Sequence, residues 1–248
     1  MTFYYVTMTI LLKWLLGGTM RNKNVIIILF GLCFIIILGM ETTSKKTDII
    51  NVPVIQQMPT YQRGCSIASL AMILNHANVK TSISELSNNI TKNPEKYKVE
   101  DGITYFGNPY NGFVGDIYKF SNPGLGVYYP PILELMQKYL NNVEVGYAVN
   151  LTNADFEIIE QHLKKGYPIW VMVNAKYKKL PKTDFLTWIT ENGEIKITKW
   201  MHSVVLTGTD TENVYFSDPL NRHKKALKKD FIEAWEQMGK QALSYEKI

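Results

Sequence analysis

Cys65 is the residue whose type and position in this sequence best fit nucleophilic chemistry. It follows a polar stretch, residues 56–64, that contains a proline and ends in a glycine. After it, apolar residues recur at the three- and four-residue spacing of one helix face, at Ile67, Leu70, Ala71 and Leu74. The pattern predicts that the thiol lies in the first turn of a helix, where unpaired backbone N–H groups and a partial positive charge favour the nucleophilic thiolate.

A thiol nucleophile needs a base, and the sequence has four histidines to supply it. His76 lies further along the same predicted helix, about 16 Å from Cys65, which is too far for contact. His162 falls on a predicted amphipathic surface helix and His223 in a basic run, so we expect both to be solvated. His202 is therefore the candidate base. The alternatives are structural: a histidine bonded to a carbonyl at a strand edge, and a cysteine that fills the core.

Asp218 is the candidate partner of that histidine. His202 opens an apolar run, residues 202–209, whose alternation is typical of a buried strand. Residues 214–217 form the next predicted strand, and antiparallel pairing of the two would place Asp218 beside His202. A carboxylate there would hold the imidazole in one tautomer and orientation. Asp210 is the other candidate, at the turn end of the hairpin, and Asp218, which precedes a proline, also suits a turn.

The tetrahedral intermediate of acyl transfer carries an oxyanion that needs hydrogen-bond donors. The sequence offers the backbone N–H of Cys65 and the side-chain amide of Gln57, with Gln56 and Gln62 as alternatives. No set of His, Cys, Asp and Glu has the spacing of metal ligands, and no glycine-rich phosphate loop is present. The sequence therefore predicts neither a metal ion nor a cofactor.

The order of the predicted elements indicates an α+β fold, because helices come first and an antiparallel sheet follows. Helices are predicted at residues 65–75, 81–89, 131–139, 153–164 and 229–238. Strands are predicted at residues 143–149, 168–175, 185–190, 194–198, 202–209 and 214–217. Residues 93–131 are rich in Asn, Pro, Gly and Tyr, and we expect them to form an irregular wall of a cleft.

The N-terminal part of the chain predicts export. Residues 1–24 are an apolar lead with a second, more natural start at Met20, followed by an uncharged apolar run at residues 25–40. Basic residues before that run are typical of a signal peptide or an uncleaved signal anchor. Residues 41–48 form a polar linker, and residues 49–248 form the globular domain. We therefore expect a secreted or membrane-anchored protein whose domain lies outside the membrane.

Charge and cysteine content exclude some other classes of function. The formal charge of +5 comes partly from residues 1–40, which hold three basic residues and no acid. The remaining 208 residues hold 24 basic and 22 acidic residues, too balanced for a nucleic-acid-binding surface. Of the two cysteines, Cys33 lies in the apolar run, so the domain has a single thiol and no internal disulfide.

Four stretches carry a family resemblance: VPVIQQMPTYQRGCSIASLAMIL, MHSVVLTGTD, VYFSDPLN and GKQAL. In this order they resemble the papain-like cysteine peptidases related to the double-glycine leader peptidases of bacteriocin exporters, in their stand-alone secreted branch. The resemblance implies a papain-like fold with a helical lobe and an antiparallel sheet lobe. Carried over residue by residue, it implies Cys65 as nucleophile, His202 as base, Asp218 as the group that orients it, and Gln57 as oxyanion donor.

These observations predict an extracytoplasmic cysteine peptidase that hydrolyses a peptide or protein substrate. The resemblance extends to the chemistry rather than to Gly-Gly specificity, because Ser66 stands where members often have an acidic residue. Two alternatives remain at this stage. One is a papain-like acyltransferase with the same triad, and the other is a non-catalytic peptide-binding or immunity-type module that keeps the triad unused.

Overall fold

The computed structural model describes residues 48–248. The predicted start at Met20, the apolar run at residues 25–40 and the linker up to residue 47 lie outside the described residues. Among the residues described, no helix combines the length and the apolar character that a membrane span requires.

The described chain alternates helices with short and long strands. Its helices are α1 (Cys65–His76), α2 (Ile83–Asn89), α3 (Tyr129–Asn141), α4 (Phe156–Lys164) and α5 (Lys228–Gln237). Its strands are β1 (Lys98–Glu100), β2 (Ile103–Tyr105), β3 (Val114–Gly115), β4 (Gly124–Gly126), β5 (Gly146–Asn150), β6 (Ile169–Asn174), β7 (Phe185–Thr190), β8 (Gly193–Thr198), β9 (Met201–Thr209), β10 (Asn213–Ser217), β11 (Lys225–Leu227) and β12 (Ala242–Lys247). This arrangement confirms the predicted α+β class.

The main sheet has six antiparallel strands in the order β11-β10-β9-β6-β12-β5. Strands β6 and β9 occupy its centre and are buried on both faces, which accounts for the unbroken apolar sequence of β6. Side chains alternate between the faces along a strand. Trp170 and Met172 of β6 pack on the side of α1 and α3, while Val171 and Val173 pack on the side of α4 and α5.

Buried hydrogen bonds fix α1 to the sheet. The indole Nε1 of Trp170 donates to the Ser66 carbonyl at 3.0 Å, and the Ser69 hydroxyl donates to the Ser203 carbonyl at 3.1 Å. Ser66 and Ser203 directly follow the predicted nucleophile and the predicted base. The bonds therefore set the distance between the start of α1 and the start of β9.

The structure corrects the sequence predictions in several places. Residues 93–131, expected to be irregular, contain β1 to β4, and β1 and β2 join the hairpin β7–β8 in a second sheet. Strands of two or three residues are too short to show a period in the sequence. Strand β12, which follows the last predicted helix, inserts between β6 and β5 in the main sheet. Helix α4 begins at Phe156, three residues later than the predicted start at residue 153.

Candidate active site

Cys65 is the first residue of α1, as the apolar spacing predicts. Gly64 allows the chain to turn sharply before it, since a Cβ at that position would lie 2.6 Å from Tyr61 Cβ. The thiol is largely buried, with 6% of the residue exposed. No group within residues 48–248 accepts the backbone N–H of Cys65, so this donor is available for an anion at the helix N-terminus.

His202 and Asp218 form a buried pair. His202 is the second residue of β9, and Asp218 directly follows β10, which runs antiparallel beside it. The imidazole Nε2 lies 2.8 Å from Asp218 Oδ1, and both residues are at most 2% exposed. The backbone N–H groups of Leu220 and Arg222 also donate to the carboxylate, at 2.8 and 3.3 Å. The Asp218 carboxylate is thus fixed by its own turn before it meets the imidazole.

The Cys65 thiol interacts with the other side of the same imidazole. The two groups are close enough for each to shift the pKa of the other, and since Nε2 of His202 is bonded to Asp218, the remaining nitrogen, Nδ1, is the one left for the thiol. The backbone N–H of Ser203 lowers the pKa of the thiol further. Sulfur, imidazole and carboxylate therefore form one continuous chain of contacts across the gap between α1 and the sheet.

This chain changes the protonation of its members. Burial disfavours a charged imidazole, but the hydrogen bonds to Asp218 and Cys65 outweigh that cost and raise the pKa of His202 to about 9. Burial likewise opposes ionisation of Cys65, but the hydrogen bond and the charge of His202 lower the pKa of the thiol below its ordinary value. Burial also opposes ionisation of Asp218, whose pKa the bond and charge of His202 lower to about 2. All three shifts favour a thiolate–imidazolium pair beside a carboxylate.

Gln57 lies in the loop that leads to Cys65 and is the buried member of the three candidate glutamines. Its Nε2 donates to the carbonyls of Tyr61 and Gln62 at 3.2 and 3.0 Å, and its own N–H bonds the Pro219 carbonyl at 3.1 Å. Gln56 is exposed, and the side-chain oxygen of Gln62 accepts the N–H of Phe120 at 2.6 Å. Gln57 therefore connects the loop before Cys65 to the turn of Asp218, and its role as an oxyanion donor stays a prediction.

Tyr177 is part of the site, although no sequence pattern singled it out. Its ring lies 6.2 Å from the His202 ring and 4.7 Å from Phe216, and its hydroxyl lies close enough to Asp218 for the carboxylate to raise its pKa. Burial and the nearby Asp218 charge raise the pKa of Tyr177, which keeps the hydroxyl protonated as a donor. Its φ of 50° is unfavourable for a bulky residue. Local strain of this kind is tolerated where surrounding contacts hold the residue in place.

Arg63 is the second site residue that the sequence analysis missed. Its guanidinium donates to four backbone carbonyls of one loop, residues 116–122, with Nη2 at 3.0 Å from the Phe120 oxygen and 2.8 Å from the Asn122 oxygen. The same group lies 5.2 Å from the centre of the Phe120 ring. Arg63 thereby fixes this loop, which displays Tyr118 and Phe120 to solvent, near Cys65.

The remaining titratable candidates lie apart from this chain of contacts. His162 is buried against Tyr167 rather than solvated as expected, because α4 turns this position toward the sheet, and burial lowers the pKa of its imidazole. His223 is exposed, as predicted. Asp210 accepts the Tyr215 hydroxyl at 2.7 Å in the β9–β10 turn. In the part of the chain that the structure describes, no three His, Cys, Asp or Glu side chains are grouped to hold a metal ion.

Comparison with known proteins identifies relatives of this chain and of its fold. Residues 49–243 match the model of the Peptidase_C39 like family. YvpB, an uncharacterized protein of Bacillus subtilis (strain 168), is 36% identical over 211 residues, which are 84% of this chain and 78% of YvpB. A Bacillus anthracis protein described as a C39-like peptidase has a crystal structure that is 41% identical, with a TM-score of 0.73 over 82% of this chain and 99% of that one.

A looser match is a double-glycine motif protease from an AMS/PCAT transporter, solved in complex with the leader peptide. It is 17% identical, with a TM-score of 0.41 over 81% of this chain and 94% of that one. The family match and the Bacillus anthracis structure together confirm the predicted papain-like fold and the predicted family resemblance.

Proposed function

Because this chain belongs to the Peptidase_C39 like family, we propose that it is a cysteine peptidase that hydrolyses peptide bonds with Cys65, His202 and Asp218. The observation that supports this most strongly is the buried contact chain from thiol to imidazole to carboxylate at a helix N-terminus. A core cysteine without catalytic use would not require a charged partner. The lowered pKa of Cys65 likewise favours a reactive thiolate over an inert thiol.

In the proposed reaction, the Cys65 thiolate attacks the carbonyl carbon of the substrate and forms a C–S bond. The carbonyl electrons move to oxygen, where the backbone N–H of Cys65 and the partial positive charge of α1 stabilise them. The C–N bond then breaks as the imidazolium of His202 gives its proton to the leaving amine, which leaves a thioester on Cys65.

The second half of the reaction returns the enzyme to its starting state. Neutral His202 takes a proton from water, and the resulting hydroxide attacks the thioester carbonyl. The C–S bond breaks, the acid product leaves, and the thiolate–imidazolium pair forms again. Asp218 keeps its charge throughout and stabilises the imidazolium in both halves.

The same proposal assigns a role to Gln57 and a location to the protein. Gln57 would supply a second oxyanion donor after its amide turns from the Tyr61 carbonyl, and its burial directly beside the nucleophile loop supports this. The apolar residues 25–40 support a location outside the membrane, either secreted or anchored, and the substrate would be a peptide or protein met there.

The test is to incubate the full chain and its Cys65→Ala variant with a mixture of secreted peptides and to follow cleavage by mass spectrometry. The proposal predicts new peptide ends with the wild type, a transient acyl adduct on residue 65, and no cleavage with Cys65→Ala at unchanged melting temperature. Equal cleavage by both proteins would contradict it. Products that carry an added amine in place of water would indicate acyl transfer instead.

A further inference from the structure

Two surface loops carry an uneven share of the positive charge of the domain. Residues 176–182 and 222–225 hold seven of the 22 Lys and Arg residues of the described chain and no Asp or Glu: Lys176, Lys178, Lys179, Lys182, Arg222, Lys224 and Lys225. The rest of residues 48–248 has 15 Lys or Arg against 21 Asp or Glu. We call the two loops together the basic rim. It is a positive surface on an otherwise negative domain.

The basic rim adjoins the pair of His202 and Asp218. Tyr177, in the first loop, has its ring 6.2 Å from the ring of His202 and 5.5 Å from the ring of His223 in the second loop. In the second loop, the backbone N–H of Arg222 donates to Asp218 Oδ2 at 3.3 Å. Each loop of the rim therefore has one residue that lies next to the pair of His202 and Asp218.

Hydrogen bonds to backbone carbonyls hold the basic rim in a fixed position. The N–H of Asn221 donates to the Asp218 carbonyl at 2.7 Å, and the N–H of Phe216 donates to the Lys224 carbonyl at 3.0 Å. In the first loop, the side-chain amide of Asn174 donates to the Lys178 carbonyl at 2.9 Å. A partner that binds the rim would therefore not have to order these loops first.

Most of the rim charges are available for a partner. Lys176 is paired with Asp184 at 3.0 Å and lies over the ring of Trp200 at 4.1 Å. The other six side chains are exposed, and within residues 48–248 none of them has an acidic partner within 4 Å. Their charges are thus neutralised by solvent and salt alone.

The chemistry decides which part of a substrate lies next to the rim. His202 gives its proton to the leaving amine, so the residues C-terminal to the cleaved bond must lie on the imidazole side of the sulfur. The rim lies on that side, around Asp218 and Tyr177. On the other side of Cys65, the loop at residues 116–122 has one aspartate and one lysine and no net charge.

We propose that the basic rim binds acidic side chains of the substrate in the first few positions after the cleaved bond; this rests on the peptidase function proposed above. Opposite charges on enzyme and substrate raise the rate of encounter and fix the register of the bound peptide. A peptide is favoured over a membrane surface as the partner because the rim is pinned against the catalytic pair, where a scissile bond must lie.

Binding and cleavage together test this proposal. A quenched fluorescent peptide that the wild type cleaves is made with Asp-Glu or with Asn-Gln at the second and third positions after the bond. The rim variant is Lys178→Glu with Arg222→Glu. The matched control is Lys80→Glu with Lys164→Glu, which reverses two exposed lysines beyond the far end of α1 and at the end of α4. The same peptides are also titrated onto Cys65→Ala protein, so that binding is measured without turnover.

We expect the wild type to prefer the acidic peptide by about tenfold in kcat/KM at low salt, and the preference to fall at about 0.5 M salt. The rim variant should lose the preference, while the control keeps it. Equal rates for the two peptides, or an unchanged preference in the rim variant, would overturn the proposal. A rim variant that keeps the preference for the acidic peptide but no longer binds vesicles of anionic phospholipid would also overturn it, because the partner of the rim would then be a membrane surface. If cleavage persists in Cys65→Ala protein, the proposed peptidase mechanism fails, and tighter binding of the acidic peptide that the two rim substitutions abolish would still support the rim assignment.

Discussion

The two walls of the candidate site are held in different ways. The helix wall consists of residues 56–64, the start of α1 and the loop at residues 116–122. It is held by hydrogen bonds that Gln57 and Arg63 donate to neutral backbone carbonyls. The sheet wall consists of the start of β9, the turn at residues 218–222 and the loop at residues 175–182. It is held by interactions with the charged carboxylate of Asp218. Protonation should therefore act on the chemistry through the Cys65 thiol and the charged groups of the sheet wall, while the loops of the helix wall act as a frame.

The largest effect should come from the charge at the centre of the sheet wall. Asp218→Asn keeps the shape but removes the carboxylate that orients His202, and we expect kcat/KM to fall about 10³- to 10⁴-fold. The melting temperature should fall by a few degrees only. Steady-state kinetics and thermal unfolding measure the two effects.

Asp210→Asn is the matched control for that variant. Asp210 lies on the same hairpin and accepts the hydroxyl of Tyr215, but it has no bond to His202. Its substitution should leave kcat/KM within about twofold, as expected for a group that makes no contact with the reacting atoms. Comparable losses in both variants would show that the hairpin, and not the charge on Asp218, carries the effect.

Titration should report one reacting group from each wall, the thiol of Cys65 and the imidazole of His202. The pKa of His202 is raised to about 9, so the imidazolium persists below that pH and is lost above it. The pKa of Cys65 is lowered, so the thiolate forms below the pH usual for a cysteine. A plot of kcat/KM against pH should therefore rise with thiol ionisation and fall through about pH 9. Asp218→Asn should move the falling limb to lower pH, since the carboxylate that stabilises the imidazolium is gone.

Arg63→Ala tests the helix wall. It removes the donors of four carbonyl bonds, and we expect a loss of about 1–3 kcal/mol in the free energy of unfolding. Faster proteolytic cleavage within residues 116–122 and a higher KM should accompany it, while the limbs of the pH profile stay where they are. Urea unfolding and limited proteolysis provide the measurements. A shifted pH profile would show that the two walls are not independent.

The smallest effect should come from Tyr177. Tyr177→Phe removes the hydroxyl beside Asp218 and keeps the ring against His202, so we expect kcat to fall about three- to tenfold with little change in KM. Tyr215→Phe removes a similar Tyr–Asp bond at Asp210 and should leave both constants unchanged. If Tyr215→Phe lowered kcat as much, the Tyr177 effect would be one of general stability.

The sequence alone was sufficient to predict the positions of residues that follow from local periodicity. Helical spacing after Cys65 put the thiol at the start of α1, and the hairpin geometry of β9 and β10 put Asp218, rather than Asp210, beside His202. In each case the inference needed only a short stretch and one regular pattern. The fold class followed from the order of such stretches.

Other features depend on contacts between residues far apart in the chain. Arg63 and its carbonyl partners are separated by more than 50 residues, and Tyr177 meets Asp218 across two loops. Neither contact leaves a periodic signal. Strand β12 enters the sheet between β6 and β5 through pairing with strands some 70 to 100 residues earlier, a distance over which local propensity carries no information. His162 was assigned to the wrong side of its helix because Tyr167 packs over it.

The most direct test of the account is the pH dependence of alkylation of Cys65 by iodoacetamide, measured by mass spectrometry in the wild type and in His202→Ala. We expect the wild-type thiol to react well below the ordinary cysteine pKa of about 8.5, and His202→Ala to move the midpoint up to that value or above it, because burial then opposes ionisation without the imidazole. Identical profiles with a midpoint near the ordinary value in both proteins would contradict a thiolate held by the imidazole, and with it the proposed peptidase mechanism.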